Sequence, residues 1–242
     1  MYQGHFAAAL LIKALAGPSV PAWPIMFGSS ILDIIGGVDA FLGLDILQPD
    51  KNAGPYMYTN FIYIDWEHSA LMMLVYSCVF GWIGCHIIGG FSKEAAMLGA
   101  ASSIVHWLMD IVVIAPSGLT LYPHGDYHFG FGLYEKYPIG SWVAENVLTA
   151  LLSCTAYRTM KQSTGADIKM ALVLITMLSM LMSPWTSPLL LVAYMHEWGW
   201  LDGILGVVHM VGFGTAYIVP ATLFTRIING AITDALGDFK KT

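Results

Sequence analysis

The longest apolar runs of this chain constrain its fold more than any other feature. Three of them, at residues 70–90, 170–191 and 204–224, are long enough to cross a hydrocarbon core of roughly 30 Å. The composition agrees, since 57% of the 242 residues are hydrophobic and only 11% are charged, whereas soluble domains carry about 25% charged residues. The sequence therefore predicts an all-α protein, a polytopic transmembrane helical bundle.

Glycines, prolines and short polar turns divide this bundle into about seven helical segments. They are predicted at residues 2–16, 22–44, 61–90, 95–115, 139–160, 169–194 and 200–228. The first segment is short, because its rise of 1.5 Å per residue gives only about 22 Å. We expect the sixth to be interrupted at Ser183-Pro184 and Ser187-Pro188. No internal repeat is evident, and residues 1–242 are predicted to form a single transmembrane domain.

The basic residues give the predicted bundle an orientation. If the N-terminus defines the outer side, Lys51 and Lys136 lie on that side. The inner side carries eight basic residues: Lys13, Lys93, Arg158, Lys161, Lys169, Arg226, Lys240 and Lys241. Because basic residues favour the cytoplasmic side, we expect the N-terminus outside and the C-terminus in the cytoplasm, matrix or stroma. The membrane is then a bacterial or organellar inner membrane, and Lys13 is expected to extend towards its inner surface.

Ionisable side chains collect in the outer half of the predicted bundle. His106 and Asp110 are four residues apart in one apolar segment, so a helix places them on one face, one turn apart. The same orientation places further acids and histidines at a similar depth: His5, Asp33, Asp39, Asp65, Glu67, His68 and Glu145. An ionisable group inside a membrane is costly and indicates a functional site.

Imidazole and carboxylate groups at one depth favour a divalent metal site. Zinc is the first expectation, with Mn, Fe or Mg as alternatives. Glu67 or Glu145 is predicted to act as a general base or to hold a ligating histidine in position. A simple hydrogen bond between His106 and Asp110 would account for that pair without a metal. The loop residues His124 and His128 are expected at the membrane interface, where they could cover the site.

Four segments, in order, resemble the YdjM-like family, whose members are described as inner-membrane, metal-dependent hydrolases. The first runs from His5 and AAALLIKALAGPSVP to Asp33 in ILDIIGG. The others are EHSALMM at 67–73, SIVHWLMDIVV at 103–113 and LYPHGDYHFGFGLYEKYPIGSWVAE at 121–145. The resemblance covers about residues 4–150, the half with the polar residues, and residues 151–242 add further membrane helices.

The resemblance implies a set of metal ligands: His5, Asp33, His68, His106 and Asp110. Glu145 matches a glutamate of the family. The chain departs from the family pattern where Glu67 replaces a serine, where Tyr134 replaces a common tryptophan, and at residues 115–118, where APSG replaces a polar element. Such departures imply an altered substrate or a lost activity.

The leading hypothesis is an integral membrane protein that resembles a metal-dependent hydrolase. Its outward-facing His/Asp site would act on a lipid, or on a lipid-linked phosphate or ester, with Glu67 and Glu145 as the catalytic candidates. The alternative is a non-catalytic accessory subunit of a larger membrane complex that keeps the family fold, and the third possibility is a transporter. Membrane lipids are the expected partners, and the absence of a basic patch argues against nucleic acid.

Overall fold

A computed structural model of the chain describes residues 1–54, 56–86 and 92–239. These residues form helices α1 (Tyr2–Ala16), α2 (Ala22–Gly28), α3 (Ile31–Leu42), α4 (Asp65–His68), α5 (Ala70–His86), α6 (Lys93–Val113), α7 (Leu133–Lys136), α8 (Pro138–Thr164), α9 (Lys169–Leu181), α10 (Pro188–Glu197) and α11 (Leu205–Phe239). A 3-10 turn (Pro116–Gly118) and strands β1 (Ile46–Pro49) and β2 (Thr59–Tyr63) complete them. The prediction of a mainly helical chain is confirmed, although the all-α class did not include the two strands.

Helix α1 lies at the centre of the fold. It packs against α8, α2 and α6, while α11 packs against α2 and α3. Its alanine-rich sequence is apolar on nearly every face, and such a helix is stable only where neighbours surround it. Lys13 is fully buried, and its Nζ donates a hydrogen bond to the carbonyl oxygen of Gly17 at 2.5 Å. The expectation that Lys13 extends to the membrane surface is therefore wrong, because the lysine instead satisfies a carbonyl just beyond the end of α1.

Two helices in the described residues are long and apolar enough to cross a membrane. They are Lys93–Val113 and Leu205–Gly237. A third span is possible if α2 and α3, which are bent by 46° at their break, count as one. The apolar segments Ala70–Cys85 and Lys169–Leu181 are shorter. The described part of the chain thus contains two or three candidate spans and is compatible with membrane association.

Besides the sixth, two of the predicted helices are divided in the structure. Segment 22–44 breaks between α2 and α3, where the hydroxyl groups of Ser29 and Ser30 both donate to the carbonyl oxygen of Met26 and compete with helical hydrogen bonds. Segment 61–90 becomes β2, α4 and α5 over its described part, so the prediction of one helix there is wrong. At that second break, the Ala70 amide donates to the Thr120 carbonyl oxygen at 2.9 Å.

Strands β1 and β2 form an antiparallel hairpin in which Leu47 pairs with Phe61. The sequence predicts only a loop at 48–58, because its prolines, glycines and polar residues are typical of turns. The interruption of the sixth predicted helix is confirmed, since α9 ends at Leu181 and α10 begins at Pro188. The hairpin connects α3 to α4, and its turn carries Tyr56 into the core, where the side chain is fully buried.

Helices α2 and α6 approach each other closely at Gly28 and Gly99. A Cβ atom on Gly28 would lie 2.1 Å from the carbonyl oxygen of Gly99, so Gly28→Ala forces two backbones apart. We expect this substitution to lower the free energy of unfolding by about 2 kcal/mol and the Tm in detergent by roughly 4–8 °C. Gly214→Ala is the matched control, because a Cβ there meets nothing within 4 Å. Equal Tm values for the two variants would contradict this packing.

Candidate metal centre

The five side chains that the family resemblance implies as metal ligands lie together in the structure. Asp110 is their common contact: its Oδ1 is 3.3 Å from His5 Nε2, and its Oδ2 is 3.3 Å from His68 Nε2. His106 Nε2 lies 3.2 Å from Asp110 Oδ2 and 3.4 Å from Asp33 Oδ2. All five side chains are buried. Four helices, α1, α3, α4 and α6, therefore deliver these side chains to one place.

Local structure explains how α3, α4 and α6 position their side chains at the site. The break after α2 turns the Ser29 carbonyl oxygen towards His106, whose Nδ1–H donates to it at 2.7 Å. The same break places Asp33 in the first turn of α3. His68 is the last residue of α4, and its carbonyl oxygen accepts a hydrogen bond from Trp107 Nε1 at 2.5 Å. The spacing of His106 and Asp110 puts both on one face of α6.

Buried polar atoms face one another in this cluster. His106 donates its Nδ1–H to the Ser29 carbonyl oxygen, and its Nε2 faces the carboxylates of Asp33 and Asp110. His106 Nε2 and Asp33 Oδ2 are both buried without a hydrogen-bond partner in the described structure. Buried polar atoms are nearly always satisfied, and a positive charge between these groups would satisfy them. Imidazole and carboxylate are ligands that Zn, Mn and Fe accept.

The candidate ligands form two overlapping groups. The ligand atoms of His5, Asp33 and His106 all lie within 4.8 Å of one another, and so do those of His68, His106 and Asp110. The cluster as a whole thus has the charge and the donor atoms to hold a cation.

Glu67, a predicted catalytic residue, lies behind His68. Its Oε1 is 3.1 Å from His68 Nδ1, while Nε2 of the same ring faces Asp110. A carboxylate in this position orients the ring of a ligating histidine. Gly36 provides the necessary space, because a Cβ there would lie 2.7 Å from Glu67 Oε1. The sequence left two roles open for Glu67, and its closeness to the His68 ring is compatible with the positioning role, although His68 Nδ1 makes no hydrogen bond in the described structure.

Glu145, the other predicted catalytic residue, anchors two tyrosines. Its Oε2 accepts hydrogen bonds from the hydroxyl groups of Tyr56 at 2.7 Å and Tyr134 at 3.0 Å, and its Oε1 accepts one from the Gly4 amide at 3.4 Å. Both tyrosines are buried. Sequence reasoning missed this pair, because Tyr56 is 89 residues from Glu145 and lies in a segment predicted as a polar loop. The one sequence feature that pointed to this pair was the departure from the family pattern at Tyr134, which replaces a common tryptophan.

A second group of acids lies on the far side of His68. Ligand atoms of Asp39, Asp45 and Glu67 are within 4.8 Å of one another, and each residue keeps one buried oxygen without a hydrogen-bond partner. Burial, and then the hydrogen bond and charge of Glu67, raise the pKa of Asp45 to about 9. Asp45 therefore keeps its proton near neutral pH.

The raised pKa of Asp45 makes stability depend on pH. The unfolded chain releases this proton near pH 3.9, whereas the folded chain keeps it until about pH 9, so stability falls as the pH rises between these values. One such proton contributes a slope of about 1.4 kcal/mol per pH unit. We expect Asp45→Asn, which keeps an oxygen for the Trp66 amide, to remove this contribution. Tm measurements from pH 5 to 9 test it, with the exposed Asp126→Asn as control. An unchanged slope in Asp45→Asn would contradict the assignment.

Three other residues highlighted by the sequence lie outside the cluster. Asp65 Oδ2 accepts a hydrogen bond from the backbone amide of His124 at 3.2 Å. The His124 ring stacks on Tyr63 at a centroid distance of 4.9 Å, and His128 Nδ1 donates to the Pro116 carbonyl oxygen at 3.1 Å. These contacts hold the loop after α6 in place. Both loop histidines are exposed, and their position at a membrane interface stays a prediction.

A cavity of about 30 Å³ lies among the candidate ligands. Its walls include four of the five candidate ligands, His5, Asp33, His68 and Asp110, and the two tyrosines of the Glu145 network. One water molecule occupies about 30 Å³ in the liquid, so the cavity is of the size of a water or a small ion. The site therefore places a cation-binding set and two hydroxyl groups around a single small space.

Comparisons with known proteins add no relative: the chain matches no family model, no curated protein and no solved structure. The resemblance of residues 4–150 to the YdjM-like family stays a prediction. The function of this chain is therefore inferred from the geometry of its buried His/Asp cluster.

Proposed function

We propose that this chain is a membrane protein that binds a divalent metal and hydrolyses an ester or phosphate bond of a lipid or lipid-linked substrate. The ligands are His5, Asp33, His68, His106 and Asp110. One observation carries the proposal: the nitrogen and oxygen atoms of these side chains approach to 3.2–3.4 Å in a buried cluster, with lone pairs left unsatisfied. Zinc fits this donor set best, and Mn, Fe or Mg are the alternatives.

The residues around the site supply the remaining chemistry. When bound, such a metal provides Lewis acidity and activates water near neutral pH. Glu67 keeps the His68 ring in the orientation that points Nε2 into the site. Tyr56 and Tyr134 place hydroxyl groups at the cavity wall, and Glu145 accepts a hydrogen bond from each of them. A hydroxyl group that turned from Glu145 towards the cavity could donate its one hydrogen bond to an oxygen that gains negative charge.

The proposal includes the membrane topology expected from the basic residues. Seven helical segments would cross or enter the bilayer, with the N-terminus outside and the C-terminus on the cytoplasmic, matrix or stromal side. Lys13 stays at the inner end of α1 under this topology, although it is buried, and Lys240 and Lys241 lie outside the described residues. The His/Asp cluster would then lie in the outer half of the membrane, near the depth of lipid head groups.

A lipid hydrolysis assay tests the proposal. Protein in detergent is stripped of metal and supplied with Zn, Mn or Mg. Phosphate release from phosphatidic acid and fatty acid release from phosphatidylcholine are then measured. We expect turnover of one of these probes to require metal and to be lost in His106→Gln but kept in His128→Gln, which changes an exposed loop histidine. Metal-independent turnover, or none with any of the metals, would contradict the proposal.

A non-catalytic accessory subunit is the second candidate, and the enclosure of the site favours it. His106 is 1% exposed and Asp110 is 3% exposed, so a substrate reaches them only if the surrounding side chains move. Under this alternative the metal is structural. The protein then binds metal in a stoichiometric amount, hydrolyses neither lipid probe and migrates as part of a large complex in native gels.

A further inference from the structure

A second, larger cavity lies beside the candidate metal centre, and we name it the apolar chamber. It has a volume of about 220 Å³ and lies between α10 and α11. The lining on these helices includes Pro188, Leu189, Val192, Val208, Gly212 and Ala216. Among the described residues, no aspartate, glutamate, lysine or arginine lines it, and His209 and the two tyrosines Tyr2 and Tyr217 are its polar side chains. A water molecule needs two to four polar partners to be held in a cavity, so the apolar chamber is suited to hydrocarbon.

A single layer of side chains separates the apolar chamber from the candidate metal centre. Four residues line both cavities: Tyr2, Met57, Phe213 and Tyr217. The rings of Tyr2 and Tyr217 meet edge to face at a centroid distance of 5.2 Å, and the Tyr2 hydroxyl donates to the Ala216 carbonyl oxygen at 2.7 Å. An ionic site and an apolar cavity are thus immediate neighbours, as the head group and the tail of a lipid are.

The other side of the apolar chamber reaches the outer surface of the protein. Two of its lining residues, Pro188 and Gly212, are exposed. The surrounding surface of α10 and α11 is apolar, with Leu191 59% exposed, Val207 43% exposed and Val211 56% exposed. Helix α11 is one of the candidate membrane spans. In a bilayer this entrance would face lipid chains.

We propose that the apolar chamber holds an acyl chain of a membrane glycerolipid whose ester or phosphate group lies at the metal centre. The inference rests on the proposed function for the position of the head group. An uncharged occupant fits best, because His209 is the one lining residue with an imidazole and the described lining has no carboxylate, ammonium or guanidinium group. Val208, Gly212 and Ala216 are spaced four residues apart on one face of α11. The small residues Gly212 and Ala216 leave a narrow groove on this face, and a narrow groove fits a slender chain. Membrane glycerolipids provide such chains at the entrance.

Filling the apolar chamber tests this inference. A Cβ atom on Gly212 meets nothing within 4 Å, so Gly212→Phe can extend a ring into the cavity. Gly214→Phe is the matched control, because it lies on the same helix, also has open space and does not line the chamber. Gly212→Leu is a smaller second variant, and the Tm of each protein checks that it is folded.

The probe is phosphatidic acid with a diazirine at the end of one acyl chain, which attaches covalently to nearby residues on illumination. Labelled peptides are identified by mass spectrometry in protein reconstituted in nanodiscs. We expect labels on the chamber residues of α10 and α11 in the wild type and in Gly214→Phe. In Gly212→Phe we expect at least about tenfold less labelling there, and in Gly212→Leu an intermediate decrease.

The labelling result is independent of turnover, so the two proposals fail separately. Equal labelling of the chamber in Gly212→Phe and the wild type would overturn the inference, and so would wild-type labels restricted to the exterior of the helices. Chamber labelling without lipid hydrolysis would support the acyl-chain site and overturn the proposed reaction. Hydrolysis that persists without chamber labelling would do the reverse.

Discussion

Asp110→Asn is expected to abolish metal binding and to lower the rate of the proposed hydrolysis about 10³-fold. Asp110 contacts three histidines, His5, His68 and His106, through its two carboxylate oxygens. The substitution keeps the shape of the side chain but removes the negative charge at the centre of the cluster. A bound metal contributes several kcal/mol of charge stabilisation to such reactions, and about 4 kcal/mol corresponds to this factor.

The measurements for Asp110→Asn are a zinc titration and the phosphate and fatty acid release assays. Asp126→Asn is the control, because it makes the same chemical change in an exposed loop residue. We expect the control to bind and turn over like the wild type. Wild-type zinc affinity in Asp110→Asn would remove this residue from the ligand set, and wild-type turnover would remove it from the reaction.

Removal of the metal is expected to lower the Tm in detergent by roughly 8–16 °C. Without a cation, the carboxylates of Asp33 and Asp110 and the Nε2 atom of His106 face one another in a buried space. A metal present at 1,000 times its dissociation constant stabilises the folded state by about 4 kcal/mol, and each kcal/mol corresponds to about 2–4 °C for a chain of this size.

Scanning calorimetry before and after chelation measures this shift, and readdition of zinc should restore the original Tm. The Asp110→Asn variant serves as the control, because a protein without metal should not respond to the chelator. An equal decrease in the variant and the wild type would mean that the chelator acts elsewhere. An unchanged Tm in the wild type would contradict a bound, stabilising metal.

The sequence predicted the members of the cluster better than their surroundings. The H-x3-D spacing in α6 placed His106 and Asp110 on one face because helical periodicity is local. The depth of His5, Asp33 and His68 in the bundle followed from the order of the apolar segments. These side chains meet in the structure as that order predicts, since short connections limit where successive helices can lie.

The missed features depend on contacts between distant parts of the chain. The end of α4 is fixed by hydrogen bonds from Ala70 and Leu71 to the loop at 120–121, which apolar periodicity in segment 61–90 cannot reveal. Tyr56 and Tyr134 meet at Glu145 only because the hairpin folds over the N-terminal end of α8. The polar composition of residues 48–58 predicts a turn but not the strands that pair around it.

Metal analysis of the purified wild-type protein tests the central claim most directly. Protein purified without a chelator is measured by inductively coupled plasma mass spectrometry, alongside Asp110→Asn prepared in the same way. We predict at least about one zinc, manganese or iron ion per wild-type chain and a substoichiometric amount in the variant. A wild-type protein without a stoichiometric divalent metal, which also takes up none on addition, would contradict the account.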